Sequence, residues 1–181
     1  MKRISSKITF AFILSLILFV SLFAISAFAV TPVDGDITWK YTTNDTDKTA
    51  TITGITISAS LEKTPSFTIP DTIDIEKNGE IVSYTVTAIG NNAFNNNKKV
   101  FGALTLPSTL KSIGNNAFSG TYIVGDIVIP DSVETIGSNA FQNCPGIYHV
   151  SLSQNVTALR SSTFSKCYSL VEINTENVEI F

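Results

Sequence analysis

The sequence has few of the residues from which metal centres and redox sites are built. It contains two cysteines and one histidine. Zinc and iron–sulfur sites are normally made from clustered Cys and His side chains, so this composition argues against a metal site. No glycine-rich phosphate loop, paired-carboxylate cleft or dinucleotide fingerprint appears either. We therefore expect no cofactor.

Basic side chains are also few. The chain has 12 Lys and Arg against 15 Asp and Glu. Three of the basic residues and none of the acidic ones lie in the first 29 residues, so the remainder carries nine basic and 15 acidic side chains, a net charge of about −6. Because nucleic acids and anionic membrane surfaces are bound by clustered Lys and Arg, neither is expected as a partner.

Long apolar runs are absent except at the N-terminus. Three basic residues within the first seven precede an almost wholly apolar run at residues 8–25, and A-F-A at residues 27–29 has the small-x-small pattern of a signal-peptidase site. This arrangement predicts a signal peptide over residues 1–29 and a secreted or cell-surface protein beginning at Val30. The run approaches the roughly 20 residues of a membrane-spanning helix, so an uncleaved anchor is the alternative. After cleavage no membrane insertion is expected.

A repeated motif dominates the rest of the chain. I-G-N-N-A-F at residues 89–94 recurs at residues 113–118, recurs as I-G-S-N-A-F at residues 136–141, and has a decayed copy at residues 159–164. The phenylalanines that end these copies are separated by 24, 23 and 23 residues. Self-similarity at a fixed period of this size is typical of repeat architectures.

Each period contains the parts of one coil. Short alternating runs such as residues 104–107 and 127–130 predict strands that end at proline, because proline cannot donate to a continuing ladder. A second extended run follows, then a glycine that permits a tight turn. The final N-N-A-F or S-N-A-F segment predicts a single helical turn that buries its phenylalanine. The pattern thus predicts a β-rich solenoid of about four coils of 23 residues, with short parallel strands and the phenylalanines in one ladder.

The segment before the repeats has a different pattern. Residues 37–41 and 49–53 alternate on either side of a polar stretch, which predicts a β-hairpin. An end coil exposes strand edges and apolar surface, so we assign residues 30–63 as an N-terminal β-hairpin capping region. The repeats are assigned to residues 64–181.

An insertion interrupts the first repeat. Residues 73–85 have no counterpart in the later copies, and Asn78-Gly79 at their centre is a strong hairpin signal. At the other end the chain reaches Phe181 part-way into a coil. We expect either a minimal cap or a longer natural array, and an unmatched edge there would allow end-to-end self-association.

The motif resembles a known family. I-G-x-N-A-F, followed by apolar-x-apolar-Pro and then V-x-x-I-G, is similar to the BspA-type leucine-rich repeat of exported bacterial proteins, and residues 64–181 carry the resemblance. It implies a curved leucine-rich-repeat solenoid at a cell surface that mediates protein binding or adhesion. The family supplies no catalytic residues. The last copy departs from the pattern, with Arg160 for the turn glycine and Thr163 for alanine, which predicts a looser coil or a cap.

Outward positions of the first strand form the candidate binding surface. Its residues are Thr105, Asp126, Val128, His149, Ser151 and Glu172. A repeated column makes an extended surface rather than a pocket, so the expected partner is an extracellular protein or a glycan chain. The alternative is a structural segment that spaces or displays other parts of a larger surface protein. Tyr122, Tyr148 and Tyr168 are the better anchor types for an interface.

The same strand positions contain the residue types of a hydrolytic triad. Asp126, His149 and Ser151 would share one face, and Ser-His-Asp is the constellation of many hydrolases. Polar residues on an exposed strand are ordinary, however, and an open sheet offers no oxyanion hole. We expect no enzyme.

The two cysteines occupy equivalent positions of neighbouring coils. Cys144 and Cys167 are 23 residues apart. A stacking distance of about 4.8 Å falls within the Cα range of a disulfide, so a bridge is one reading. Two buried thiols are the other, since in-register side chains aim poorly at each other and free cysteine often serves as a small hydrophobe.

Overall fold

A computed structural model describes residues 37–58, 66–174 and 179–180, and these segments contain strands and turns without a helix. The predicted signal peptide lies outside the described residues. Within the part that is described, no helix has the length and apolar character needed to cross a membrane.

The described residues form 13 strands. In chain order they are β1 (Ile37–Asn44), β2 (Thr49–Ile57), β3 (Ser66–Thr68), β4 (Thr72–Lys77), β5 (Glu80–Ile89), β6 (Phe101–Thr105), β7 (Ser112–Ile113), β8 (Tyr122–Val128), β9 (Thr135–Ile136), β10 (Gly146–Ser151), β11 (Ala158–Leu159), β12 (Glu172–Ile173) and β13 (Glu179–Ile180).

The strands form two main sheets. One has five strands in the order β12-β10-β8-β6-β3, all paired in parallel. The other has six, in the order β1-β2-β5-β7-β9 with β4 beside β5. Strands from successive repeats lie next to each other, so Ser151 pairs with Val128 and Ile136 with Ile113. The repeats up to β9 thus contribute strands to both main sheets, whereas β11 of the last repeat pairs with β13 in a separate two-stranded parallel sheet.

The core lies between these sheets. Along the five-stranded sheet the inward residues Leu104, Ile127 and Val150 are buried, whereas the residues on either side of them are exposed. This is the period of two that an alternating strand requires. The six-stranded sheet contributes Ile89, Ile113 and Ile136, each almost fully buried, to the opposite side of the core. Equivalent residues of successive repeats are therefore buried at equivalent positions, as the sequence repeat requires.

The phenylalanines of the repeated motif stack in the ladder that their spacing predicts. Ring centroids are separated by 5.0 Å between Phe94 and Phe118, 5.0 Å between Phe118 and Phe141, and 5.3 Å between Phe141 and Phe164. The last two pairs are nearly coplanar, at 9° and 7°. Burying each such ring contributes roughly 1.5–3 kcal/mol. The ladder is therefore a main source of cohesion between repeats.

The N-terminal end of the ladder is closed by other aromatic rings. Trp39 of β1 meets Phe94 edge-on at 6.3 Å, and Phe67 of β3 meets it edge-on at 5.2 Å. Edge-to-face contacts at such distances are a favoured aromatic geometry. Phe94 is buried as a result, whereas Phe164 at the other end of the ladder remains partly exposed.

The turn before each phenylalanine differs from the predicted helical turn. In residues 90–97, N–H groups donate to carbonyls three residues back, as in Ala93 to Gly90 and Asn95 to Asn92. Asn92 and Asn96 have φ values of 57° and 56°, which no right-handed helical turn contains. The segment is a pair of successive turns. Asparagine suits these positions because it tolerates the left-handed region better than most residues.

Left-handed residues recur at the same places in later repeats. The first column consists of Asn92, Asn116, Asn139 and Ser162. Asn92, Asn116 and Asn139 thus shape the backbone of the turns. Side-chain capping between repeats is made instead by the preceding asparagines: Asn91 Oδ1 accepts the Asn115 N–H, and Asn115 Oδ1 accepts the Ser138 N–H, each at 2.8 Å.

Two antiparallel hairpins precede the regular repeats. Strands β1 and β2 pair from Ile37–Ile57 to Asn44–Thr49. Strands β4 and β5 pair around Asn78-Gly79, whose φ values of 55° and 85° fit the type I′ turn favoured by two-residue hairpins.

A polar cluster ties the two hairpins together. Lys77 Nζ lies 2.7 Å from Asp45 Oδ1 and 2.6 Å from the Tyr84 hydroxyl, and that hydroxyl also donates to Asp45. The hydrogen bond from Lys77, followed by that from Tyr84, holds the pKa of Asp45 below its usual value of 3.8. The same contacts raise the pKa of Lys77.

Both cysteines are free and buried in the structure. Cys144 Sγ donates to the Phe118 carbonyl and Cys167 Sγ to the Phe141 carbonyl, each at 3.1 Å. The thiols therefore act as equivalent donors to the preceding repeat. Burial raises the pKa of both thiols, that of Cys167 to about 11.

Candidate binding surface

The outer side of the five-stranded sheet carries the residues that the sequence singled out. We call Thr105, Asp126, Val128, His149, Ser151 and Glu172 the strand face. All six are exposed. The parallel pairing brings them into adjacent rows, because equivalent residues of successive repeats lie side by side in the sheet.

A hydrogen-bonded histidine–aspartate pair lies at the centre of the strand face. Asp126 Oδ1 on β8 is 2.7 Å from His149 Nδ1 on β10, and both side chains are at least half exposed. His149 is aligned with Glu172 of β12 on its other side. The imidazole of His149 therefore lies between two residues that carry carboxylates, and its hydrogen bond to Asp126 fixes its position.

Ser151 does not complete a catalytic arrangement with this pair. It is aligned with Val128 in the sheet, and no hydrogen bond joins its hydroxyl to His149 among the contacts of residues 37–58 and 66–174. A serine nucleophile needs a base within hydrogen-bond reach. The sheet therefore presents an open surface with one hydrogen-bonded histidine–aspartate pair.

A β-bulge widens the strand face. The pairing of β10 with β8 shifts by one residue between Ile147 and Val150, so Tyr148 and His149 together occupy the space opposite one residue of β8. Bulges re-aim side chains in this way. Both residues are exposed, and Tyr148 retains 49% of its accessible surface. Strict alternation would have turned Tyr148 inward.

Exposed apolar side chains lie beside the Asp126–His149 pair. Val128 is 64% exposed on β8, and Val171, whose N–H donates to the Tyr148 carbonyl at 2.8 Å, is 76% exposed. The repeat pattern of the sequence does not indicate Val171 as a surface residue, because the last repeat matches the strand pattern only in part. Its position beside Tyr148 becomes evident only from the pairing of the repeats.

Tyr122 and Tyr168 are exposed as well. Lys98 Nζ lies 4.5 Å from the centroid of the Tyr122 ring, a cation–π contact that covers one side of this tyrosine. Tyr168 is the more open of the two. In residues 37–58 and 66–174, no group of three or more His, Cys, Asp or Glu side chains is arranged to hold a metal ion.

This architecture of stacked, parallel-paired repeats with a phenylalanine ladder is that of a leucine-rich-repeat protein. Residues 77–181, more than half of the chain, match the family model of the BspA type leucine rich repeat region as six copies. The chain therefore belongs to the BspA-type leucine-rich-repeat family. The sequence pattern indicates four copies of the motif, whereas the family model counts six.

Solved structures share this fold. A leucine-rich cell surface protein of Faecalibacterium prausnitzii is 24% identical, with a TM-score of 0.51 over 87% of this chain. A leucine-rich repeat protein of Bacteroides capillosus is 21% identical, with a TM-score of 0.50 over 82% of this chain and 96% of its own. The chain spans 44% of the length of the F. prausnitzii protein. No curated protein shows significant similarity to the chain.

Proposed function

We propose that the chain is a non-catalytic leucine-rich-repeat solenoid of about four coils, exported by a signal peptide over residues 1–29 and acting at the cell surface or outside the cell. Residues 30–63 serve as its N-terminal cap and residues 64–181 as its repeat region. Its function is to bind an extracellular protein through the strand face.

The observation that carries this proposal is the composition of the strand face in three dimensions. Val128, Tyr148 and Val171 leave apolar surface exposed around the hydrogen-bonded Asp126–His149 pair. Exposed apolar patches rimmed by polar groups mark interaction sites, and tyrosine is one of the residue types that dominate binding energy at interfaces. The buried sheet beneath holds these side chains in fixed positions.

A protein suits this surface better than a glycan. The strand face is open and crosses several repeats, and its apolar side chains would be covered only by a partner with apolar surface of its own. The hydrogen-bonded Asp126–His149 pair supplies polar groups that fix the orientation of that partner, since polar groups at a rim contribute more to specificity than to affinity.

The experiment is a binding assay with the purified exported protein on a panel of extracellular matrix proteins and bacterial surface extracts. The test variant carries Val128→Lys and Tyr148→Ser. The matched control is Ile81→Lys, which alters an exposed apolar residue on the β4–β5 hairpin, away from the strand face. We expect saturable binding that the test variant loses and the control keeps. Absence of binding by the unaltered protein across the panel would contradict the proposal.

A second candidate function is that of a structural segment in an array. In earlier repeats the N–H groups of Asn139, Phe141 and Asn143 donate to carbonyls of the following repeat. The equivalent N–H groups of Ser162, Phe164 and Lys166 have no such acceptor among the described residues. Together with the partly exposed Phe164, this open edge favours end-to-end association.

Analytical ultracentrifugation separates the two candidates. An array segment would form oligomers at micromolar concentration, and Phe164→Glu would dissociate them. A monomeric protein whose sedimentation is independent of concentration would argue for a recognition role.

A further inference from the structure

A polar groove runs along the repeats away from the strand face. It has a volume of about 460 Å³ and lies beside the short strands β7 and β9 of the six-stranded sheet. Its polar lining comes from four successive repeats and consists of Asn91, Ser112, Asn115, Thr135, Ser138 and Arg160. The isoleucines of its lining, Ile113 and Ile136, are almost fully buried. The groove therefore offers polar groups without an apolar anchor.

The asparagines of this groove have a fixed amide orientation. The Asn115 backbone N–H donates to Asn91 Oδ1, and the Ser138 backbone N–H donates to Asn115 Oδ1. A backbone N–H needs an oxygen acceptor, so the amide oxygen of each asparagine must face the protein and its NH₂ group must be the outer end. Neither Nδ2 atom makes a hydrogen bond within the described segments.

In the last repeat, Arg160 occupies the position that glycine holds in the earlier repeats that line the groove. The equivalent positions in earlier repeats are Gly114 and Gly137, where a Cβ atom would come within 2.6 and 2.5 Å of a backbone nitrogen of the preceding repeat. Arg160 is exposed and has no carboxylate partner within 4.0 Å among the described residues. It is the only charged residue in the lining.

The groove is consequently rich in donors. Two asparagine NH₂ groups and the guanidinium offer only hydrogen-bond donors, and the hydroxyls of Ser112, Thr135 and Ser138 are free to donate as well. The complementary ligand has many oxygen acceptors and at least one negative charge. A peptide would leave its apolar side chains without contacts here, and a nucleic acid would need several cations rather than one.

We propose that this groove binds a carboxylated polysaccharide segment. The guanidinium of Arg160 takes a carboxylate in a two-point hydrogen bond, the geometry in which arginine recognises carboxylates. The amide NH₂ groups of Asn91 and Asn115 donate to hydroxyl or ring oxygens of the adjoining sugars. The asparagines hold these donors in place before the ligand arrives, because their oxygens are engaged with the backbone of the next repeat.

The site is separate from the strand face, so the two proposals fail independently. Asp126 and His149 belong to the five-stranded sheet, whereas the groove lies along the six-stranded sheet. A Val128→Lys, Tyr148→Ser variant keeps the polysaccharide binding of the unaltered protein.

The test uses isothermal titration of the purified protein with an oligosaccharide that carries one galacturonate residue among neutral sugars, and with its methyl ester, which keeps the sugar chain and removes the charge. Arg160→Gln removes the proposed carboxylate partner, and Lys166→Gln removes another exposed cation of the same repeat that does not line the groove. Circular dichroism and thermal unfolding confirm that both variants fold.

We expect the unaltered protein to bind the singly charged oligosaccharide and to bind its ester at least about tenfold more weakly, since a charge-assisted pair contributes on that order. Arg160→Gln should bind the singly charged oligosaccharide about tenfold more weakly, with Lys166→Gln unchanged. Thr135→Glu, which places a carboxylate in the groove, should also weaken it. No binding by the unaltered protein, equal binding of the ester, or equal losses in the two cation variants would each overturn the proposal.

Discussion

Asp126 and His149 lie one repeat apart in the sequence and meet across two parallel strands, with Oδ1 and Nδ1 separated by 2.7 Å. The pairing of Val150 with Ile127 places His149 beside Asp126, and the bulge in β10 turns Tyr148 to the same side of the sheet as His149. The pair is exposed, so it is a feature of the surface rather than a support of the fold.

Removing this pair should leave stability almost unchanged. Even a fully charged pair contributes only about 0–1 kcal/mol when it is exposed, so His149→Ala and Asp126→Asn should each shift the urea unfolding midpoint very little. Urea unfolding followed by circular dichroism measures this. A loss of several kcal/mol would show that the pair supports the fold, and the binding data from variants of the strand face would then need another interpretation.

The phenylalanine ladder should be far more sensitive to substitution. Phe118 is fully buried between Phe94 and Phe141, with centroids 5.0 Å away on either side. Phe118→Ala should lower the free energy of unfolding by about 3–5 kcal/mol, the usual range for a buried phenylalanine.

Phe164→Ala serves as the matched control for the ladder. Phe164 stacks on Phe141 but is only partly buried, so its loss should be clearly smaller than that of Phe118→Ala. Equal losses in urea unfolding would mean that a partner covers Phe164 in solution.

The cysteines should behave as protected thiols. Burial raises the pKa of Cys144 and raises that of Cys167 to about 11, and the thiolate is the form that reacts with iodoacetamide. At pH 8 the native protein should be alkylated slowly and the protein in denaturant rapidly, as mass spectrometry would show. If the non-reduced protein shows no alkylation even in denaturant, Cys144 and Cys167 are joined by a disulfide.

The same thiols predict how stability changes at alkaline pH. Their pKa is higher in the folded state than the ordinary value of 9.0, so the unfolded chain loses these protons first. The stabilisation is fully present below pH 9 and declines as the pH rises toward 11. Cys167→Ser should flatten this decline in urea unfolding measured from pH 8 to 11, whereas an unchanged slope would contradict the assignment.

The cluster of Asp45, Lys77 and Tyr84 predicts the opposite pH dependence. The pKa of Asp45 is lower in the folded state than its ordinary value of 3.8, so the unfolded chain binds this proton first. The contribution of Asp45 is present above pH 3.8 and is lost as the pH falls through the folded-state value. Asp45→Asn should remove this part of the acid sensitivity. An identical profile from pH 2 to 6 in both proteins would count against it.

Much of the repeat architecture is predictable because it is local and periodic. The alternating runs around Ile127 and Val150 indicate strands directly, and the 23-residue spacing of Phe118 and Phe141 indicates their stacking. Such signals recur in every copy. They need no knowledge of how the strands pair.

The parts that the sequence does not reveal depend on contacts between repeats. The bulge at Tyr148 arises from a register shift against β8. The N-N-A-F segment has the length of a helical turn, and the positive φ of Asn92 becomes evident only in the structure, where its N–H donates to the Asn115 carbonyl of the next repeat. The groove at Arg160 is likewise assembled from several repeats.

The most direct test of the strand face is site-specific photo-crosslinking. A benzophenone side chain replaces Val128 in one protein and Ile81 in another, both exposed apolar positions, and each protein is irradiated with the matrix-protein panel. If the strand face is a recognition surface, position 128 should form a saturable crosslink to a defined partner. Unlabelled protein should compete with this crosslink, His149→Ala should weaken it, and position 81 should not form it. Equal crosslinking from both positions, or none from position 128, would contradict the claim that the strand face is a recognition surface.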